Sequence, residues 1–242
     1  MLQYEHSLFY LGKPVKTPIG DIPFKTLADY EETSKHLSVL QQTNKIYITK
    51  LLMKTGNAKI VEIVRNEPFI DTMMILGETP IYTQYVESLL YFFGVNLIDR
   101  DNILVWSDDE LYEYLELIYH MNAVGFPKRL TGNPEIDRFI EYEQRMSKSK
   151  NKDITFESIL SSVAMWMGKT IDELMTMTNY QMYVNFYRIA QFKSYDVTTL
   201  FRTIDPKIKT VEWNAHVDIL GSINKKEKTL EETNEEGSAL FT

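Results

Sequence analysis

The sequence contains no cysteine. Disulfides, thiolate metal ligands and thiol nucleophiles are therefore excluded. It has only four histidines, His6, His36, His120 and His216, each standing alone, which leaves little for a histidine-built metal centre. It also lacks a basic excess: 26 Lys and Arg face 34 Asp and Glu, a formal net charge of −8 over 242 residues. The phosphate-neutralising surface of a general nucleic-acid binder is missing. There is no long apolar run. The most apolar window, Ile81–Ile98, holds Gln84, Glu87, Ser88 and Asn96 and is broken by Gly94. A bilayer span needs about 20 mainly apolar residues, so a buried helix is expected there and no membrane association. The first residues lack the basic start and apolar stretch of a secretory signal. Absence of cysteine accords with a cytosolic setting.

What is present reads as a mainly α protein. Hydrophobic residues make up 44% and charged residues 25%, enough for a packed core. Residues 6–25 read as extended, including the apolar Ser7–Leu11. With Pro14, Pro18, Gly20 and Pro23 as punctuation, they predict a short β hairpin or meander. Helices follow. Thr26 is an N-cap for a helix to about Gln42, and others are expected over Lys45–Thr55 and from Pro68 to Leu76. Ala58–Val64 is left as a short helix or a strand. Pro80 suits the first turn of a helix to Phe93, with Gly94 just past its end. Asn102–Trp106 reads as one further short strand. Ser107-Asp108-Asp109-Glu110 is a capping box, in which Ser107 accepts from the Glu110 amide and Glu110 reaches back. The helix it opens, to about Val124, turns Leu111, Tyr114, Leu115, Ile118 and Met121 to one face.

Residues 101–150 carry ten acidic against six basic residues and should include a helix from Asn133 to about Met146. The polar Ser147–Lys152 marks a boundary. The expected organisation is an N-terminal hairpin-plus-helix subdomain over 1–146, a C-terminal helical subdomain over 153–220, and a charged tail over 221–242, either flexible or a lone surface helix. In the second subdomain Thr155 caps a helix through Met167, Thr170–Glu173 is another capping box, and Thr178 caps a long helix to about Phe201. That helix is apolar nearly all round, the pattern of a helix central in its domain. Val211–Leu220 should be a last helix or extended piece.

Several patterns invite chemistry. Gly168-Lys169-Thr170 looks like the end of a phosphate loop, but Val163 stands where the first glycine of that motif is required, and a helix end followed by a capping box is the better reading. Asp109, Glu113, Glu116 and His120 share a helical stripe. A bundled di-metal site needs Glu-x-x-His on each of two helices; here the spacing is Glu-x-x-x-His and occurs once, so a solvated acidic face is expected. No Gly-x-Ser-x-Gly elbow is present. No catalytic residue, metal or cofactor is assigned. The 15 Tyr, 12 Phe, 3 Trp and 11 Met exceed what a small core demands, and Met and Tyr favour partner surfaces.

Three segments carry a resemblance. HSLFYLGKPVKTPIGDIPFKTLADYEE, SDDELYEYLELIYHMN and DITFESILSSVAMWMGKTIDELMTMTNYQMYVNFYRI together resemble tail-module proteins of phages of Gram-positive bacteria, and among these the tail assembly chaperones. The resemblance spans roughly Ser7 to Leu220 and contains no catalytic motif. It implies a non-enzymatic protein of the host cytoplasm that binds the tape-measure or other tail proteins and self-associates. The alternative is a structural or connector component of the virion. The positions that best match the family pattern, Tyr180, Gln181, Phe186, Tyr187 and Arg188, are either core or partner contact. Phe186 and Tyr187 are expected to be buried first; Tyr180, Gln181, Tyr183, Tyr187 and Arg188 are the candidate contact set.

Overall fold

A computed structural model of the protein describes residues 7–54, 58–77, 79–99, 105–125 and 155–210, with 5, 56, 101, 103, 212–214 and 219 besides. The chain is mainly α with a short N-terminal hairpin. A one-turn helix α1 (Ser7–Leu11) leads to strands β1 (Val15–Thr17) and β2 (Gly20–Ile22). The strands pair antiparallel, Val15 opposite Ile22 and Thr17 opposite Gly20. The prolines fall where a ladder can spare an N–H: before β1, in the turn and after β2.

A 3₁₀ turn over Leu27–Asp29 runs into α2 (Tyr30–Gln42). Then come α3 (Lys45–Met53), α4 (Ala58–Asn66), α5 (Phe69–Leu76), α6 (Pro80–Phe93) and α7 (Asp108–Met121). The second half gives α8 (Phe156–Met167), α9 (Ile171–Leu174) and α10 (Asn179–Arg202). Both expected capping boxes are formed, at Ser107/Glu110 and Thr170/Glu173, and Gln181 completes a third with Thr178. The bonds that Glu110 and Glu173 accept hold their carboxyls below the ordinary range.

The main core gathers Phe9, Val15 and Ile22 with residues of α2 to α7. A smaller cluster holds Leu27 with Ile159, Leu160, Val163, Leu174 and Met182. The two are tied together. Leu27 and Ala28 donate their amides to Met177 O and Met175 O at 2.8 and 3.2 Å, and Thr26 bridges Thr178. Buried Asn179 donates from Nδ2 to Asn122 Oδ1 at 3.1 Å, and Asn122 donates to Ile118 O at 2.8 Å. The first core also takes in Tyr180 and Ile219.

Several expectations change. Ser7–Leu11 is helical, not extended, because winding turns Phe9 inward, edge-on to Phe24 and Tyr180 at 5.3 and 5.2 Å. Gly12 then reverses the chain at φ +62°, a conformation that favours glycine, and a Cβ there would meet Gln181 Nε2 at 3.1 Å, so that amide would have to shift. The strand expected over Asn102–Trp106 is absent from its described residues: Asp101 and Ile103 are helical. The Ile103 amide closes on Asp99 O at 3.2 Å, so Ile103 is buried through a local turn instead of a ladder, while Val105 stays exposed. The sheet found among the described residues is the hairpin alone.

α10 is not a central helix. Its buried residues are Asn179, Tyr180 and Met182, because only its first turns lie against α1, α7 and α8. Phe186 is half-buried and Tyr187 exposed, so the expectation that these two are buried first is corrected: Tyr180 and Met182 take that place. The expected helix over 133–146, the boundary at 147–152 and the tail over 221–242 lie outside the described residues, as does most of 211–220.

Candidate functional site

The candidate contact residues divide by burial. Tyr180 is in the core, edge-on to Phe9 and Tyr10. Gln181 is used locally: its Oε1 accepts from the Thr178 amide at 2.9 Å and its Nε2 donates to Tyr10 O at 3.0 Å. Tyr183 packs against both core clusters, and burial raises its phenol pKa. Tyr187 and Arg188 are left toward the surface. Arg188 donates to Gln191 Oε1 at 2.9 Å and to Trp213 O at 3.0 Å, and Gln191 donates to Glu212 O at 2.9 Å. These bonds lay residues 212–213 along α10.

That arrangement builds a surface the sequence did not single out. Trp166 of α8 stands edge-on to Phe192 at 6.3 Å, and Phe192 edge-on to Trp213 at 5.9 Å. Lys193 Nζ lies 4.8 Å from the Trp166 ring centroid, a cation–π contact. All three rings are exposed, as are the neighbouring Met165, Met167 and Ile171. The sequence signal was the spacing itself. Trp166 follows the buried Val163 and Ala164, so it falls at the edge of α8's inward face.

Elsewhere, titratable groups meet without forming reactive sites. His36 Nδ1 lies 3.0 Å from Ser88 Oγ, and His36 Nε2 lies 4.0 Å from Glu32 Oε1. This Ser–His–Glu grouping is structural. The Ser88 hydroxyl donates to Gln84 O at 2.7 Å, so Nδ1 must be the donor to Ser88 and cannot take its proton. Ser88 is moreover fully buried within α6. The His36 ring stacks on Tyr91, whose ring also meets Lys25 and Phe92 and whose hydroxyl meets Thr33.

Burial lowers the His36 pKa, against the opposing pull of Glu32. The unfolded chain therefore binds a proton at higher pH than the folded one. Stability is full above the unfolded value of about 6.5 and falls as pH drops from there toward the folded value. Chemical denaturation between neutral and mildly acidic pH should show this slope, and His36→Gln should flatten it. An unchanged slope would assign the dependence elsewhere.

The stripe on α7 is less solvated than expected. His120 is buried, with Nε2 3.8 Å from Glu116 Oε1. Burial, and then Glu113, hold the Glu116 carboxyl above its usual range. Among the described residues no three His, Asp or Glu converge as metal ligands. Gly168-Lys169-Thr170 is a helix end: Gly168 is left-handed, the Lys169 amide closes on Ala164 O at 3.0 Å, and the Thr170 amide donates to Glu173. Those N–H groups are already bonded within the chain. An open groove of about 420 Å³ is lined by Tyr10, Thr176, Met177, Gln181, Val184 and Asn185. Its amides and hydroxyl bond to nearby chain, Asn185 to Gln181 O and Thr176 to Glu173 O. No described helix is long and apolar enough to cross a membrane.

Residues 148–218 match the family described as the YomV second domain. Over 217 residues the chain is 28% identical to the SPbeta prophage-derived uncharacterized protein YomV of Bacillus subtilis (strain 168), covering 88% of this chain and 89% of that protein. No solved structure matches. The likeness is to a prophage-encoded protein and supports a phage origin for this chain.

Proposed function

We propose that this is a non-enzymatic phage protein that binds partner proteins in the host cytoplasm, and specifically a tail assembly chaperone for the tape-measure protein. The observation that carries the reading is the exposed surface built by Trp166, Phe192 and Trp213, whose rings meet edge to edge. Contiguous exposed apolar area marks interaction sites, and Trp, Phe and Met are the residues enriched in interface centres. Among the described residues, the His36–Ser88 pair and the groove amides of Gln181 and Asn185 are bonded within the fold. The resemblance of the three quoted segments to tail assembly chaperones supports the tape-measure protein as that partner.

Co-expression with the tape-measure protein of the same phage tests it. The two should co-purify, and Trp166→Ala with Phe192→Ala should cut recovery at least several-fold without changing the melting temperature by more than a few degrees. Recovery of nothing by the unaltered chain overturns the partner assignment. Mass spectrometry adds a second arm. A chaperone is present in infected cells and absent from purified particles, whereas stoichiometric presence in particles replaces this reading with a virion component.

A further inference from the structure

Helix α10 outruns the helix that covers it. α8 has 12 residues and α10 has 24, about 18 and 36 Å at 1.5 Å per residue. One face of α10 sends Met182, Phe186 and Ile189 into the smaller core cluster. Trp166, near the end of α8, reaches Phe192 and Lys193. At three- and four-residue steps beyond, the same face presents Val197, Leu200 and Ile204, with Phe201 beside them. These four are 49%, 65%, 78% and 51% exposed. The Asp205 amide still donates to Phe201 O at 2.9 Å, so the helical turn continues to Asp205. A projecting helix with its apolar seam in water is marginal by itself. The seam is continuous with one that α8 already covers by helix packing, and a second helix is what it fits.

The charges at its ends select which helix. Lys193 stands at the start of the seam and Asp205 at its far edge. A parallel second copy would set Lys193 against Lys193. An antiparallel one sets Lys193 level with Asp205 of the second copy at both ends, and Val197 level with Phe201, because each pair is equidistant from Thr199. We propose that residues 193–205 form a twofold, antiparallel interface between two copies of this chain. Such an isologous contact uses the same patch on both subunits. It needs no tape-measure protein, so it stands or falls separately from the function proposed above.

The test is sedimentation equilibrium of the full chain over a wide concentration range. A reversible monomer–dimer equilibrium is expected. Leu200→Glu should weaken it at least tenfold while leaving the circular dichroism melt unchanged, since Leu200 is exposed. Lys193→Glu and Asp205→Lys should each weaken the dimer, and the double variant should restore it. A chain monomeric at every concentration overturns the proposal, as does a dimer indifferent to Leu200→Glu. Failure of the double variant to recover overturns the antiparallel arrangement, because in a parallel pair the exchange restores nothing.

Discussion

Tyr180→Ala will lower the melting temperature by about 10 °C, the largest loss expected from any residue of the candidate contact set. Its ring is buried where α10 enters the main core, edge-on to Phe9 and Tyr10. Removing a large aromatic from such a site costs about 3–5 kcal/mol through lost burial and the cavity left behind, to which edge-on ring pairs add. At roughly 2–4 °C per kcal/mol for a chain of this size, that is a loss of about 6–20 °C. The same change at Tyr187, 39% exposed, should stay within about 0.5 kcal/mol. Thermal denaturation of both variants checks the contrast. Equal, small shifts would show that Tyr180 is a surface residue and that the join between the two clusters is made elsewhere.

The contrast between these two tyrosines shows where sequence stops being informative. Both lie on one helix among apolar neighbours, and periodicity gives them similar claims to the core. What separates them is that α1 folds back over the start of α10, which depends on Gly12 meeting Gln181 and on Phe9 turning inward. Neither contact leaves a local trace. Local features were legible for the opposite reason. A capping box at Ser107/Glu110 or Thr170/Glu173 is closed within four residues, so its chemistry is complete in the sequence. The helix ends at Gly77, Gly94 and Gly168 were legible too, because a positive φ at each is a property of the glycine itself.

The candidate site fared less well. Its exposed rings come from α8, α10 and the segment laid along α10 by Arg188 and Gln191. An apolar residue destined for solvent has the same one-letter code as one destined for the core. The apolar surround of α10 therefore predicts burial, although its far half has no described helix over it. His120 misled in the other direction. A stripe of three carboxylates predicted water, and the close packing of α7 buried the histidine at its end.

Asp108 makes the same point with a measurable consequence. In the sequence it is one of two aspartates following Ser107, indistinguishable from Asp109 as an acidic residue in the first turn of α7. In the fold its two carboxylate oxygens accept the amides of Phe69 and Ile70, at 2.9 and 3.0 Å, across 39 and 38 residues. These are the first N–H groups of α5. The residue before them, Pro68, has no side-chain acceptor with which to cap that helix. One carboxylate thus sits at the N-termini of two helices, where both dipoles favour negative charge.

Asp108→Ala orphans both amides. At about 1–3 kcal/mol for each donor left unmet, reduced by water entering a partly buried site, the loss should be about 2–4 kcal/mol. Asp108→Asn keeps one good acceptor and should lose about half as much. Asp109→Ala, on the exposed side of the same turn, should lose clearly less than Asp108→Ala. Hydrogen exchange locates the effect: protection should fall first across α5, at Phe69 to Met73, while the amides of α7 beyond its first turn keep theirs. Equal losses at Asp108 and Asp109 would mean that the acidic turn acts through the α7 dipole alone and that α5 is held by its apolar face, with Phe69, Ile70 and Met73 in the core doing without the distant cap.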